Sequence, residues 1–295
     1  MQEKRLRSSK QKPVVNHAEP DINMKILVLI KPVPDPDKYN EITIDQKTKR
    51  IIRDGVPMVV NPEDKNALEA ALRIGGRITV LAMAPEAARD KLVECLAMGA
   101  DEAYLLADKA FGGADTYATS YVLSEAIRRI QKQDASGTQP EGTEKFDLIL
   151  AGNGSADGAT SHVPVQVAEW LGITHIAGVC SLEKEGELLR AVKKSEDVLL
   201  TFEGYEPAVI AVTRETNKPR LINAMGIIRA RKKPLTVWSA DDLELDAERT
   251  GLEGSPTQPG ELITPETGRK SELLAENAEE AAKAILEIAG KAGVL

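Results

Sequence analysis

From residue 24 onward the chain alternates short apolar, β-branched runs with longer stretches in which apolar positions recur every three or four residues. The continuous runs at 25–30, 77–83, 102–106, 146–151 and 208–213 read as strands buried on both faces. Between them, 64–74, 86–98, 115–131 and 162–171 read as amphipathic helices. That order predicts βαβ units, and four such crossovers predict a doubly wound, mostly parallel α/β sheet. Polar alternation at 183–192, followed by 199–203, predicts an antiparallel hairpin at a sheet edge.

The flanks read differently. Residues 1–23 are polar, carry Lys4, Arg5, Arg7, Lys10 and Lys12, and lack apolar periodicity, which reads as a tail. A transit peptide would suit the basic residues, but Glu3, Glu19 and Asp21 argue against one, and Met24 is an alternative start. After Trp238, residues 241–268 are rich in Gly, Pro, Asp, Glu and Thr and read as an arm. A helix at 271–289 follows, with Leu273, Leu274, Ala281, Ala284, Ile285 and Ile288 on one face. The expected organisation is therefore an extension at 1–23, an α/β domain at 24–238 and a C-terminal arm and helix at 239–295.

Composition narrows the function classes. Acids outnumber bases, 46 to 38, which argues against a general affinity for nucleic acid. Cys95 and Cys180 are the only thiols, too few for a disulfide framework or a thiolate metal site, and a reducing cytoplasm fits them. Apolar runs stay strand-sized, so no membrane span is expected.

The strongest site signal follows the strand at 146–151: Gly152, Asn153, Gly154, Ser155, Ala156, Asp157, Gly158, Ala159, Thr160 and Ser161, then a helix beginning near His162 and Val163. Glycines admit close approach to backbone amides, and a helix start presents unpaired N–H groups to an anion. The spacing matches neither the P-loop nor the usual dinucleotide fingerprint, and a plain turn capped by Thr160 or Ser161 is the alternative. Asn61, Pro62, Glu63 and Asp64 make a good helix start, with Asn61 as cap, and capping alone explains them. Met83 opens a third strand-to-helix junction and suits either the core or an adenine ring. No nucleophile–base arrangement is evident, so catalysis by side chains is not indicated. Lys218, Arg220, Arg229, Arg231, Lys232 and Lys233 flank the apolar Ala224, Met225, Ile227 and Ile228, which reads as a solvated basic face or a docking loop.

These pieces, in this order, resemble the beta subunit of electron transfer flavoprotein over nearly the whole chain from Met24. The resemblance is carried by residues 31–35 (KPVPD), 54–57 (DGVP), 61–64 (NPED), 97–103 (AMGADEA), 112–116 (GGADT), 152–163, 215–220 (ETNKPR) and 254–257 (GSPT). It implies a Rossmann-like adenine-nucleotide-binding fold and a heterodimer with an alpha subunit that carries FAD. It implies a nucleotide in this chain, AMP in ordinary members or a second FAD in those that bifurcate electrons from NADH, held by Leu29, Lys31, Asn61, Pro62, Glu63, Asp64, Met83 and residues 152–163. The stretch from Pro219 and Arg220 through Ala224, Met225, Ile227, Arg229, Arg231, Lys232 and Lys233 is similar to a recognition loop that docks on an acyl-CoA dehydrogenase or a similar flavoprotein. Gly154, Ala159 and His162 stand where Gln, an acid and Gln are usual, Glu63 where an aromatic is frequent, and Ala224 where a docking Leu is typical. The 254–257 and 61–64 motifs resemble bifurcating members, which points to FAD here, with ferredoxin as low-potential acceptor. AMP as a structural ligand is the alternative within the family. A stand-alone adenine-nucleotide-binding module is the alternative from another class, and it leaves the basic stretch and the C-terminal helix without a purpose.

Overall fold

Strand β1 (Lys25–Leu29) carries Ile26, Leu27 and Val28 with no solvent exposure, a run only a central strand covered on both faces can bury. The computed structural model describes residues 24–41, 43–44, 51–52, 56–135, 145–186, 188–204, 207–258, 260, 273 and 277–294. The 1–23 tail, residues 54 and 55 of the second motif, and 261–272 of the arm lie outside them.

The described chain continues through α1 (Pro62–Ile74), β2 (Arg77–Met83), α2 (Arg89–Met98), β3 (Glu102–Leu106), α3 (Thr116–Ala135), β4 (Leu148–Gly152) and α4 (Val163–Leu171). It then forms β5 (Thr174–Glu185), β6 (Leu188–Ser195), β7 (Val198–Gly204), β8 (Ala208–Val212), α5 (Ala224–Ala230) and β9 (Leu235–Trp238). One nine-stranded sheet results, in the order β7-β6-β5-β8-β4-β1-β2-β3-β9. All pairings from β5 to β9 are parallel, and β6 and β7 extend the sheet antiparallel. Leu68 of α1 and Leu92 of α2 join one buried cluster, while Val122 of α3 and Val167 of α4 join the other. Helices therefore cover both faces, and the predicted doubly wound fold is the observed one.

Differences from the sequence reading have physical causes. The edge hairpin is larger than expected and belongs to the main sheet. Its first strand begins at Thr174 and runs parallel to β8 from Ala208↔Thr174 to Ala211↔Ala177 before pairing with β6. Thr174 and His175 are exposed, so this half lacks the continuous apolar run that marks a central strand. Strand β9 went unread because only four residues follow a basic run. The stretch read as a docking loop contains helix α5, and Gly226 lets it lie against α2, since a Cβ there would stand 2.4 Å from the Ala97 carbonyl oxygen. Residues 241–258, read as the beginning of an arm, pack on the domain instead: Leu243, Thr250 and Ser255 are buried.

The described residues fall into two units. The first holds the sheet and its helices through residue 258. The second includes α6 (Ala278–Lys291), capped by the Asn277 side chain accepting the Glu280 N–H at 2.9 Å. Taken by itself, α6 leaves Ile285, Leu286 and Ile288 exposed.

The short link after α1 lies at the amino end of β2. Gly75 and Gly76 have φ of 89° and 109°, and a Cβ on Gly76 would stand 2.3 Å from the Met24 carbonyl oxygen, which accepts the Arg77 N–H. Gly76→Ala should therefore cost about 2–3 kcal/mol, read as a lower urea midpoint at unchanged slope. A midpoint within error of the parent would refute this account of the turn.

Candidate nucleotide-binding site

Sequential crossovers carry the chain from β1 to β2 and β3, and the next strand, β4, returns to the other side of β1. Loops leaving the carboxyl ends of β1 and β4 therefore diverge, and an open α/β sheet binds its ligands in such a crevice. Here it is a cleft of about 880 Å³ lined by Leu29, Lys31, Asn61, Asp64, Met83 and the glycine loop.

Asp64 organises it. Its buried carboxylate accepts the Lys31 N–H at 2.7 Å, the Asn61 Nδ2–H at 2.9 Å and the Gly152 N–H at 3.1 Å. Three chain segments thus meet on one side chain. A Cβ on Gly152 would lie 2.3 Å from Asp64 Oδ1, so only glycine fits there. Asn61 heads α1, but its side chain does not cap the helix: Nδ2 also donates to the Gly154 carbonyl at 2.9 Å, and Oδ1 accepts the Ala156 N–H at 3.1 Å. Glu63 accepts the Gly154 N–H at 2.7 Å. Lys31 Nζ bridges to Asp157 at 2.7 Å and Ser155 Oγ at 3.2 Å. Burial alone would raise the Asp157 carboxyl, but the Lys31 ammonium, with hydrogen bonds from Ser155 and the residue's own N–H, outweighs it and holds the group below its ordinary range.

The loop amides divide into two sets. Those of Gly152, Asn153, Gly154, Ala156 and Ala159 donate to Asp64, Val212, Glu63, Asn61 and Ser155. Those of Ser155, Gly158, Thr160, Ser161, His162 and Val163 meet no acceptor among the described residues, and the Asp157 N–H turns to its own carboxylate. Ala159 and Ser161 take left-handed φ of 51° and 56°, a strained path that turns this second half over the start of α4. No side chain caps that helix; the first-turn bond runs from the Gln166 N–H to the His162 carbonyl. An anion would meet free amides and the positive helix end together.

Of the residues the sequence reading placed at the ligand, Leu29, Lys31, Asn61, Asp64, Met83, Gly152, Asn153, Gly154, Ser155, Gly158, Thr160, Ser161, His162 and Val163 line the cleft. Pro62, Glu63, Ala156, Asp157 and Ala159 do not line it; Glu63 and Asp157 are turned to protein partners that shape the loop. Asp115, Tyr117, Gln166, Pro256 and Thr257 also line it and were not read as site residues. Asp115 accepts the Thr257 hydroxyl at 2.7 Å and the Thr257 N–H at 3.0 Å, while its own N–H donates to Ser255 Oγ at 2.8 Å. The 112–116 and 254–257 motifs were the signal, but nothing in the sequence says that they touch.

The basic stretch also divides. Met225, Ile227, Ile228 and Leu221 are exposed, as are Pro219's neighbour Arg220 in part, Ala224, Arg229, Arg231 and Lys232. Arg220, however, pairs with buried Glu69 at 2.7 Å. Burial raises the Glu69 carboxyl, yet Arg220 and Arg73 together hold it below its ordinary range. Lys233 donates to the carbonyls of Leu96, Gly99 and Ala100, the last at 2.5 Å, and so satisfies the end of α2. These two cations serve the fold.

The model of the electron transfer flavoprotein domain matches residues 48–243. This chain belongs to the electron transfer flavoprotein family, as a beta-type subunit in electron transfer. It is 44% identical to the electron transfer flavoprotein subunit beta of Thermoanaerobacterium thermosaccharolyticum over 90% of this chain and 97% of that one. It is 40% identical to CarD, a subunit of the caffeyl-CoA reductase-Etf complex of Acetobacterium woodii, over 85% and 92%. Protein FixA of Bradyrhizobium diazoefficiens is 36% identical over 90% of both chains. Among the described residues, no helix is long and apolar enough to cross a membrane and no cluster of His, Cys, Asp or Glu could hold a metal.

Burial, against the pull of three N–H donors, pushes Asp64 up to about 7 from an ordinary 3.8. A carboxyl raised on folding binds its proton more tightly in the native state, so its contribution to stability falls as pH rises from about 4 to 7 and is constant above. Asp64→Asn removes that titration. Whatever fixed cost Asn carries, thermal melts should show the variant gaining on the parent between pH 5 and 7.5, then holding a constant offset. An offset independent of pH across the range would show that Asp64 does not titrate there.

Proposed function

We propose that this chain holds FAD in the cleft described above and works in a heterodimer with an FAD-bearing alpha subunit, taking electrons from NADH. The observation that carries the reading is the size and layout of the cleft. About 880 Å³ lies near the upper end of the roughly 300–1,000 Å³ usual for small-molecule sites, room for a dinucleotide. The fit is supported by a cradle in which a Cβ on Gly152 would strike Asp64, and by free amides at the start of α4 for a phosphate. When bound, FAD supplies hydride acceptance and onward transfer of single electrons. The chain's own part is to hold the phosphate at 158–163, to fix the loop through Asn61, Glu63 and Asp64, and to flank the ligand with apolar Leu29, Leu81 and Met83. The reading of bifurcation, with ferredoxin as low-potential acceptor, rests on the 61–64 and 254–257 motifs and on the likeness to CarD. AMP would use the same anion site, and is the second reading.

The decisive experiment is co-expression with the alpha subunit, denaturation of the purified complex and chromatographic quantification of released nucleotide. Two FAD and no AMP per heterodimer is the expected result. One FAD and one AMP would make the chain a simple carrier, and a complex without flavin would overturn both readings.

The exposed cations and apolar residues of α5 fit a flavoprotein partner such as an acyl-CoA dehydrogenase, docking by charge with apolar contact at the centre. Arg231→Glu with Lys232→Glu should slow association with that dehydrogenase about tenfold at low salt, less at high salt, and leave the melting temperature unchanged. Unaltered, salt-independent association would exclude this face.

A further inference from the structure

We propose that Gln166 is a specificity-determining residue of the cleft, its side-chain carbonyl accepting a hydrogen bond from a hydroxyl of the sugar or ribityl chain adjoining the ligand's phosphate. The inference rests on the reading of the cleft as a nucleotide site. Gln166 lines the cleft, and its Oε1 is buried with no hydrogen-bond partner. The two buried polar residues of the lining are occupied: Asp64 by three donors, Asn61 by Asp64, Gly154 and Ala156. Only one other buried side-chain polar atom among the described residues lacks a partner, Arg129 Nε, and Arg129 lies over Trp238, outside the cleft lining.

A buried acceptor without a donor is destabilising, and the ligand is the natural source of one. Position says which part of the ligand supplies it. Gln166 lies three residues beyond Val163, about 4.5 Å along the axis of α4 at 1.5 Å per residue. A phosphate held at 158–163 therefore places the carbons that follow its ester carbon, and the hydroxyls they carry, beside Gln166, whereas the base or the flavin ring lies further off. Ribose in AMP and ribityl in a flavin both carry hydroxyls there, so the shared chemistry is an O–H donor one to three carbons beyond the phosphate ester carbon.

The test measures equilibrium binding to the full-length chain, co-purified with its alpha subunit and freed of exchangeable nucleotide. One series is AMP with its 2′-deoxy and 3′-deoxy forms; the other is FMN with forms lacking single ribityl hydroxyls. The parent should bind at least one deoxy form about tenfold more weakly than the complete ligand, the effect of leaving one buried acceptor unpaired. In Gln166→Leu the two should bind within twofold of each other. That variant should melt no lower than the parent without ligand, since it deletes an unpaired polar atom, and so should remain folded for the measurement. The series that shows the loss identifies the source of the hydroxyl. Discrimination that survives in Gln166→Leu, or no discrimination in the parent in either series, overturns the role of Gln166 and leaves the cleft reading intact. A parent that binds neither AMP nor FMN overturns the cleft reading as well.

Discussion

A carboxylate taken out of water must be neutralised or surrounded by donors, and the geometry of this molecule follows from how Asp64 is surrounded. Its three donors come from the end of β1, the start of α1 and the end of β4. Side chains elsewhere hold an element in place; this one holds the crevice at the divergence of the sheet to a single width. Two of the donors converge on Oδ1 and one on Oδ2, so a proton taken up by Asp64 goes to Oδ2 and weakens its hold on the Lys31 N–H. With burial raising the group to about 7, the latch sits close to the balance between these states at neutral pH.

The same economy of donors decides where a ligand's charge can go. A glycine-rich loop after a strand suggests amides available along its whole length. In this chain most of its first half is occupied from within, because Asn61, Glu63 and Asp64 project their acceptors into it. Glu63 adds an internal anion at Gly154, which repels a second one at that point. Asp157 would extend the negative field if Lys31 did not pair with it. The amides left over gather mainly at the start of α4, where the helix end is positive, and that is the best seat for an anion.

How much of this could be read from sequence depended on whether the signal was local. Burial on both faces produces the unbroken apolar runs of β1, β2, β3, β4 and β8, and the alternation with helical periodicity gave the sheet its class. Edges were harder. The first half of β5 is part-exposed and β9 is four residues long, so neither presents a run long enough to separate from loop. At the site, the glycine loop and the 61–64 turn were legible as pieces, but the capping role expected of Asn61 gave way to contacts 93 and 95 residues away in sequence. Gln166 shows the limit most plainly, since an unpaired carbonyl is defined by what the rest of the fold fails to bring to it.

The composition change after Trp238 invited a boundary there, and the reason it misleads is chemical. Polar, glycine-rich sequence describes a free linker and also a strap laid closely over a surface, because close approach needs small residues. A Cβ on Gly251 would lie 2.2 Å from the Ala110 carbonyl oxygen, so this strap is of the second kind. Asp115 receives the Tyr117 and Ala118 N–H groups at the start of α3 and, on its other oxygen, both donors of Thr257. Burial opposes its ionisation, but these donors prevail and keep it charged. One carboxylate thus caps the start of a helix and fastens the strap whose Pro256 and Thr257 form part of the cleft wall. Through Pro256 and Thr257 the strap therefore belongs to the cleft, which has the ends of β1 and β4 on one wall and the strap on another.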